Sequence, residues 1–332
     1  MRIFITGDKG MIGRDLVRVL RRDEACTLIN DEPDWNEFKA GAKVDFEEFP
    51  SGLIHEEEID ITGWDMDRFI DLSEPDLVIN CAGIVNTIKC EAWPWSASSV
   101  NEAGVYNLLN AMKKSKKNIN LIHFSTTAIY DPDYYDGEFS GQVPILEEAP
   151  IGPKTIYGIT KYGGELIVKS YYPKELWSIV RPCFIYDYNS HSVVSQMIQW
   201  WETDKLCEQR DAISEIGGRD IFLDPLNKKD YMYVDDFTDI MMLMIFTPFN
   251  RIAGEDYNIS LGEPTKFREI QFIFEQLGFS KDRYNVHPGG DYLKNHIVKG
   301  DKTKHHFPEW EPRITIEQGI KKMMEKSNVL QK

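Results

Sequence analysis

The residue types best suited to chemistry stand at Tyr157-Gly158-Ile159-Thr160-Lys161, the only Tyr-x-x-x-Lys spacing in the chain. Four residues apart on a helix, the two side chains share one face. An ammonium beside a phenol favours the phenolate, so the tyrosine can take up and return a proton near neutral pH. Ser125, Thr126 and Thr127 close an apolar run that begins at Asn120 and reads as a strand. In an open α/β sheet ligands bind at the C-terminal ends of strands. A hydroxyl there can bond a substrate carbonyl or alcohol while the tyrosine moves the proton. The same three hydroxyls can also serve as turn caps.

A third pattern opens the chain, Gly7-x-x-Gly10-x-x-Gly13. Gly7 suits a tight turn, Gly10 lets a backbone approach a pyrophosphate, and Gly13 permits close packing of helix on strand. The helix that follows would offer unpaired N–H groups to the anion. A plain structural turn is the alternative, and the strand before and amphipathic helix after favour the dinucleotide. Asp31 follows the second strand-like run. A carboxylate there accepts bonds from ribose hydroxyls and repels a 2′-phosphate, which favours NAD and leaves NADP possible. Its neighbours Glu32 and Asp34 leave an ordinary acidic loop open as the alternative.

The elements that must position these groups alternate between short apolar runs and helical patterns, the mark of a doubly wound parallel sheet. Strands are expected at Arg2–Thr6, Thr27–Asn30, Asp76–Ala82, Asn120–Ser125 and Trp177–Arg181. Helices are expected from Met11 to Leu20, Val100–Lys113, Tyr157–Ser170 and Ile314–Glu325, and a strand-to-helix passage at Tyr231–Phe246. The fold class is therefore α/β, a Rossmann-type sheet with a smaller, partly interleaved C-terminal substrate lobe. The division expected is 1–182, with 230–262 contributing, for the dinucleotide, and 183–229 with 263–332 for the substrate.

Composition narrows the function. A formal net charge of -16 argues against a broad grip on nucleic acid or anionic membrane. No run approaches the roughly 18 apolar residues of a membrane span. The first residues enter a strand at once, so a signal peptide is not expected. Five cysteines without a C-x-x-C pair point to reduced thiols in a cytoplasmic protein, not to disulfides or zinc. His305-His306 reads as a solvated loop, and no metal is expected. Trp93, Trp95, Trp200 and Trp201 could stack on a base or sugar, or simply pack in a core or interface.

With these features in this order, the chain resembles the extended short-chain dehydrogenase/reductase family that acts on nucleotide-linked sugars. Matching residues are the glycine triplet, Asp60-Ile61, Asn80-Cys81-Ala82-Gly83, Asn101 with Gly104, Thr126, and Tyr157 with Lys161. Further along stand Arg181-Pro182-Cys183-Phe184-Ile185-Tyr186, Lys229 to Asp236, Tyr257 to Ser260, Trp310 to Pro312 and Ile316 to Gly319. The resemblance implies that Thr126, with Ser125, orients a sugar hydroxyl or ketone, that Tyr157 transfers its proton, and that Lys161 tunes Tyr157 and holds the ribose. It implies that Gly7, Gly10, Met11, Ile12 and Gly13 embrace the pyrophosphate and that Asp60 and Ile61 meet the adenine. Cys81, Ala82, Gly83, Asn101, Pro182 and Phe184 complete the cofactor set, and Asn86, Thr127 and Lys229 lie on the substrate side. One departure is Lys228-Lys229 where members often carry arginine; a lysine neutralises a diphosphate without bidentate geometry.

The same resemblance separates reactions. Dehydratases of the family place an Asp-Glu pair after the threonine, where this chain has Thr127 and Ala128. That leaves an epimerase, which oxidises a sugar carbon transiently and returns hydride to the other face, or a 4-keto-sugar reductase. Thr127-Ala128, Asp31 and Arg181-Pro182 favour the epimerase. Val78 to Ala82 and Lys89-Cys90-Glu91 resemble the dTDP-4-dehydrorhamnose reductase branch. A catalytically silent NAD(P)-binding sensor is the reading from another class, opposed by the intact Thr126, Tyr157 and Lys161. A homodimer through the helices at Val100–Lys113 and Tyr157–Ser170 is expected by analogy with the family.

Overall fold

The computed structural model describes residues 1–23, 26–28, 60–63, 65–135, 144–209, 219–289 and 295–327. Asp31 and any strand ahead of Asp60 lie outside these described residues, as do the last two residues of the run expected at Thr27–Asn30.

The chain opens with β1 (Arg2–Thr6), where Ile3, Phe4 and Ile5 are fully buried. A continuous apolar run of this kind is what a strand covered on both faces requires. Next come α1 (Met11–Leu20), β2 (Thr27–Leu28), α2 (Met66–Ser73) and β3 (Leu77–Asn80). Two short helices, α3 (Thr87–Ala92) and α4 (Pro94–Ser98), lead through a π-helical turn at Ser99–Gly104 into α5 (Val105–Lys114). Then follow β4 (Asn120–Phe124), α6 (Pro132–Tyr135), α7 (Ile156–Tyr171), β5 (Trp177–Pro182) and β6 (Phe184–Tyr186). The rest comprises α8 (Val193–Gln209), β7 (Asp220–Phe222), β8 (Lys228–Lys229), β9 (Tyr231–Tyr233) and α9 (Val234–Phe246). Last are β10 (Asp256–Ile259), β11 (Thr265–Lys266), α10 (Phe267–Gln276), β12 (Asn285–His287), α11 (Asp301–His306) and α12 (Ile316–Lys326).

Among the described residues the main sheet has six strands, in the order β10-β5-β4-β3-β1-β2. Strands β1 to β4 pair in parallel, with Thr6 opposite Asn80 and Asn80 opposite His123. This is the doubly wound α/β sheet expected from the alternation of runs. Some boundaries differ. The strand expected to reach Ala82 ends at Asn80, because the Ala82 N–H turns to the Thr6 side-chain oxygen instead of a main-chain carbonyl. The helix expected from Val100 begins as the π-helical turn. The His305-His306 pair sits in α11 rather than a loop, with His306 Nδ1 2.8 Å from the Tyr257 hydroxyl.

The chain forms two compact units. The first comprises Met1–Phe124, Gly163–Ile179 and Pro248–Glu255. Its core joins Phe4, Phe69, Val78, Leu121 and Ile179 with the α5 face Val105, Leu108, Leu109 and Met112, the spacing that marked this helix in the sequence. Burying each such side chain stabilises the fold by about 1.5–3 kcal/mol. The second comprises Ser125–Tyr162, Val180–Thr247 and Asp256–Lys332. Here β6 pairs in parallel with β9, β8 antiparallel with β11, and β7 in parallel with β12. A core among its described residues gathers Tyr186, Trp201, Tyr231, Tyr233, Phe267 and Phe274.

Candidate active site

In the second unit the chain turns immediately after β4. The Ser125 N–H donates to Val180 O at 2.8 Å, so the first hydroxyl residue is still held on β5. Thr126 Oγ1 accepts from Ala128 N at 3.2 Å and caps a tight 3-10 turn at Thr127–Ile129. Thr127 Oγ1 donates to Pro182 O at 3.3 Å. The three hydroxyls therefore differ. Thr127 is engaged by the protein, and Thr126 caps through a lone pair while its own proton remains to be donated. Ser125 is buried, and among the described residues its Oγ has no hydrogen-bond partner. An unpaired buried hydroxyl costs about 1–3 kcal/mol.

Tyr157 stands in the first turn of α7 and is half-buried, while Lys161 one turn later is only 3% exposed. Burial this deep is unusual for a lysine and fits a local task rather than solvation. Thr155 caps the helix, its Oγ1 accepting from Gly158 N at 3.1 Å. The next feature was not read from the sequence. A Cβ on Gly158 would lie 2.6 Å from the Ala128 carbonyl oxygen, so the helix start abuts the Thr127–Ile129 turn as only glycine permits. Tyr157 and the hydroxyl turn are brought together by that contact. The available signal was a glycine, a poor helix former, directly after the tyrosine.

The glycine triplet lies in the first unit and has the geometry expected of it. Gly7 is left-handed at φ +66°, and a Cβ on Gly13 would lie 2.2 Å from the Gly7 carbonyl oxygen. Gly10 closes the turn, donating to Gly7 O at 3.0 Å, and no side chain caps the start of α1. Met11, Ile12 and Gly13 thus open a helix whose N-cap, Gly10, offers no side-chain acceptor to its first N–H groups. This fits a pyrophosphate. Around the turn, Thr6 Oγ1 donates to Asn80 Oδ1 at 2.6 Å and accepts from Ala82 N at 3.2 Å. Cys81, Ala82 and Gly83 are half-buried there.

The other expected residues divide by what they touch. Asn101 is buried and uses both ends of its amide on Ile84, accepting from its N–H at 2.9 Å and donating to its carbonyl at 3.0 Å. It acts on the Cys81–Ile84 stretch by holding it. The Asp60 carboxylate accepts from the N–H and hydroxyl of Thr62, and Ile61 belongs to the core of the first unit. Asn86 caps α3, accepting from Lys89 N at 2.9 Å. In the second unit the Lys229 ammonium lies 4.8 Å from the ring centre of Phe184. Trp93 and Trp95 are exposed, whereas Trp201 is buried and Trp200 stacks on Tyr284. Among the described residues no cluster of three or more His, Cys, Asp or Glu could hold a metal, and no helix is long and apolar enough to cross a membrane.

Comparison with known proteins places the chain in a family. A Methanocaldococcus jannaschii protein that bears the provisional name UDP-glucose 4-epimerase is 25% identical, over 97% of this chain and 97% of its own. The dTDP-4-keto-6-deoxy-D-glucose reductase of Streptomyces niveus is 24% identical, over 90% of this chain and 88% of its own. The UDP-glucuronic acid 4-epimerase of Bacillus cereus, solved with UDP-glucuronic acid and NAD, shares the fold with a TM-score of 0.73. That structure is 20% identical, with 100% of this chain and 99% of its own covered. The profile of the NAD dependent epimerase/dehydratase family matches residues 3–260, and the chain belongs to that family.

Proposed function

We propose that this chain is a nucleotide-sugar epimerase in which Tyr157 serves as general base and acid. The observation that carries this reading is the turn after β4. It presents the unpartnered Ser125 hydroxyl and the Thr126 proton beside the start of the tyrosine helix, with Thr127 and Ala128 where an acid pair would serve dehydration. Ser125 and Thr126 hydrogen-bond the reacting sugar oxygen. Tyr157 takes the proton of that oxygen and later returns it, and Lys161 stabilises the phenolate. Gly7 and the Met11–Gly13 amides hold the dinucleotide pyrophosphate, with Asp31 favouring NAD over NADP. A bound nicotinamide would supply the acceptance and return of hydride. Residues 1–182 with 230–262 serve the dinucleotide, and 183–229 with 263–332 the nucleotide sugar, Lys229 facing its diphosphate.

A 4-keto-sugar reductase is the second reading, favoured by the Streptomyces relative and its name. Purification followed by a panel of UDP- and dTDP-sugars, with wild type and Tyr157→Phe, separates the two. Tightly retained NAD and interconversion of sugars support the epimerase; exchangeable NAD(P)H consumed in one direction supports the reductase. Wild type that turns over nothing, with Tyr157→Phe binding NAD equally well, favours a sensor. The site is taken to work in the cytoplasm and in a homodimer, the latter supported by exposed Tyr106 on α5 and exposed Ile159 and Leu166 on α7.

A further inference from the structure

Beside the Ser125–Thr127 turn, the second unit carries a buried polar network. Arg181, on β5 next to Pro182, is 2% exposed. One guanidinium nitrogen donates to the Tyr130 hydroxyl at 2.9 Å and to the Glu147 carbonyl at 3.4 Å. The other donates to the Asp256 carboxylate at 2.8 Å. Tyr130, fully buried, donates its own proton to Asn258 Oδ1 at 2.7 Å. The Asn258 N–H donates to a Glu147 carboxylate oxygen at 2.9 Å, which closes the network. Burial pushes the Tyr130 phenol well above its ordinary value, with Arg181 opposing in part, so Tyr130 stays a neutral donor.

The position of Tyr130 gives this network a consequence. It is the residue that ends the turn, its N–H reaching Thr127 O at 3.4 Å. Arg181 and Pro182 are consecutive on β5. Pro182 takes the Thr127 hydroxyl at one end of the turn, and Arg181 takes the Tyr130 hydroxyl at the other. One strand end therefore grips the turn twice, three residues apart. The buried guanidinium requires good partners to be tolerated at all, so its geometry leaves the turn little freedom.

We propose that Arg181 and Tyr130 are a positioning pair that fixes the Thr127–Ile129 turn, and with it Ser125 and Thr126, for reaction and touches neither sugar nor dinucleotide. The proposal rests on the reading of Ser125 and Thr126 as the hydroxyls that orient the sugar oxygen. It concerns alignment, so it predicts a loss in turnover rather than in binding.

The test compares wild type, Tyr130→Phe, Asn258→Ala and Tyr157→Phe by backbone amide exchange and by turnover of UDP-glucose and dTDP-glucose. Tyr130→Phe keeps the ring and its packing. It is expected to raise exchange at residues 126–130 at least about tenfold while residues 120–124 stay as in wild type. The same variant should lower kcat about tenfold, with KM and NAD affinity within about twofold. Asn258→Ala, which spares the Arg181 contact, should fall between the two. Exchange unchanged at 126–130, exchange raised equally in both stretches, or an unchanged kcat each overturns the pair. Full turnover by Tyr157→Phe sinks the underlying proton-transfer reading instead, and the exchange result still decides the pair.

Discussion

Replacing Gly158 by alanine is the sharpest perturbation of the candidate site. The added Cβ would stand 2.6 Å from Ala128 O, about 0.8 Å short of the 3.4 Å at which ordinary contact begins. The carbonyl cannot easily retreat. Its residue is tied by the Thr126 side chain, and the turn is fastened at Pro182 through Thr127 and at Gly152 through Ile129. The start of α7 must give instead, and Tyr157 moves with it. A displacement near 1 Å between reacting groups costs on the order of 100-fold, so kcat should fall about 30- to 100-fold. Stability should fall by about 0–2 kcal/mol, because alanine gains about 1 kcal/mol of helix propensity against about 1–3 kcal/mol of overpacking. Steady-state kinetics on a sugar that wild type turns over, with a thermal melt of each protein, reads both quantities. A Gly158→Ala enzyme within twofold of wild-type kcat would refute the argument that this contact sets the tyrosine.

Three further outcomes can be checked. Ser125→Ala should keep or raise the melting temperature and lower kcat at least about tenfold, since it removes an unpaired buried hydroxyl; Thr126→Val should also lose about 1 kcal/mol with its cap. Equal melting losses in both variants would contradict this. Gly13→Ala drives a Cβ to 2.2 Å from Gly7 O, so calorimetry should find no NAD binding and a melt should show about 1–3 kcal/mol of destabilisation. Burial, offset in part by the N–H groups of Gly262 and Leu261, raises the Asp230 carboxyl from 3.8 to about 6. A raised folded value means that its contribution is full below about pH 4 and is lost as pH rises through about 6, worth about 3 kcal/mol. The stability of wild type minus that of Asp230→Asn should therefore fall across that window; a flat difference would remove Asp230 as the cause.

Much of the sheet was legible because buried parallel strands are written in continuous apolar runs. Ile3 to Ile5 and Val78 to Ile79 needed no partner information to be recognised. Helix α5 was equally open, since Val105, Leu108, Leu109 and Met112 fall on one face. What stayed hidden depends on contacts between segments distant in sequence. Asn101 could be marked as belonging to the cofactor region, but not as a clamp on Ile84. Nothing in the sequence signalled that Pro182 would take the Thr127 hydroxyl or that Thr126 would cap through Ala128. Tyr130 and Arg181 carry no spacing signal, because 51 residues separate them.

The π-helical turn at Ser99–Gly104 has a consequence for how this chain tolerates length changes. It holds Asn101 in register with Ile84 by fitting wider turns between α4 and α5. Removing one residue there would let the two helices fuse into a continuous α-helix and rotate everything before the cut by about 100°. Asn101 would swing off Ile84 while the apolar face of α5 stayed in place. The stretch after Gly83 would then lose its anchor without any residue in it having changed. A single deletion at this point would therefore keep the α5 side of the core in place while turning α4, with its buried Ala97, and freeing the loop after Gly83.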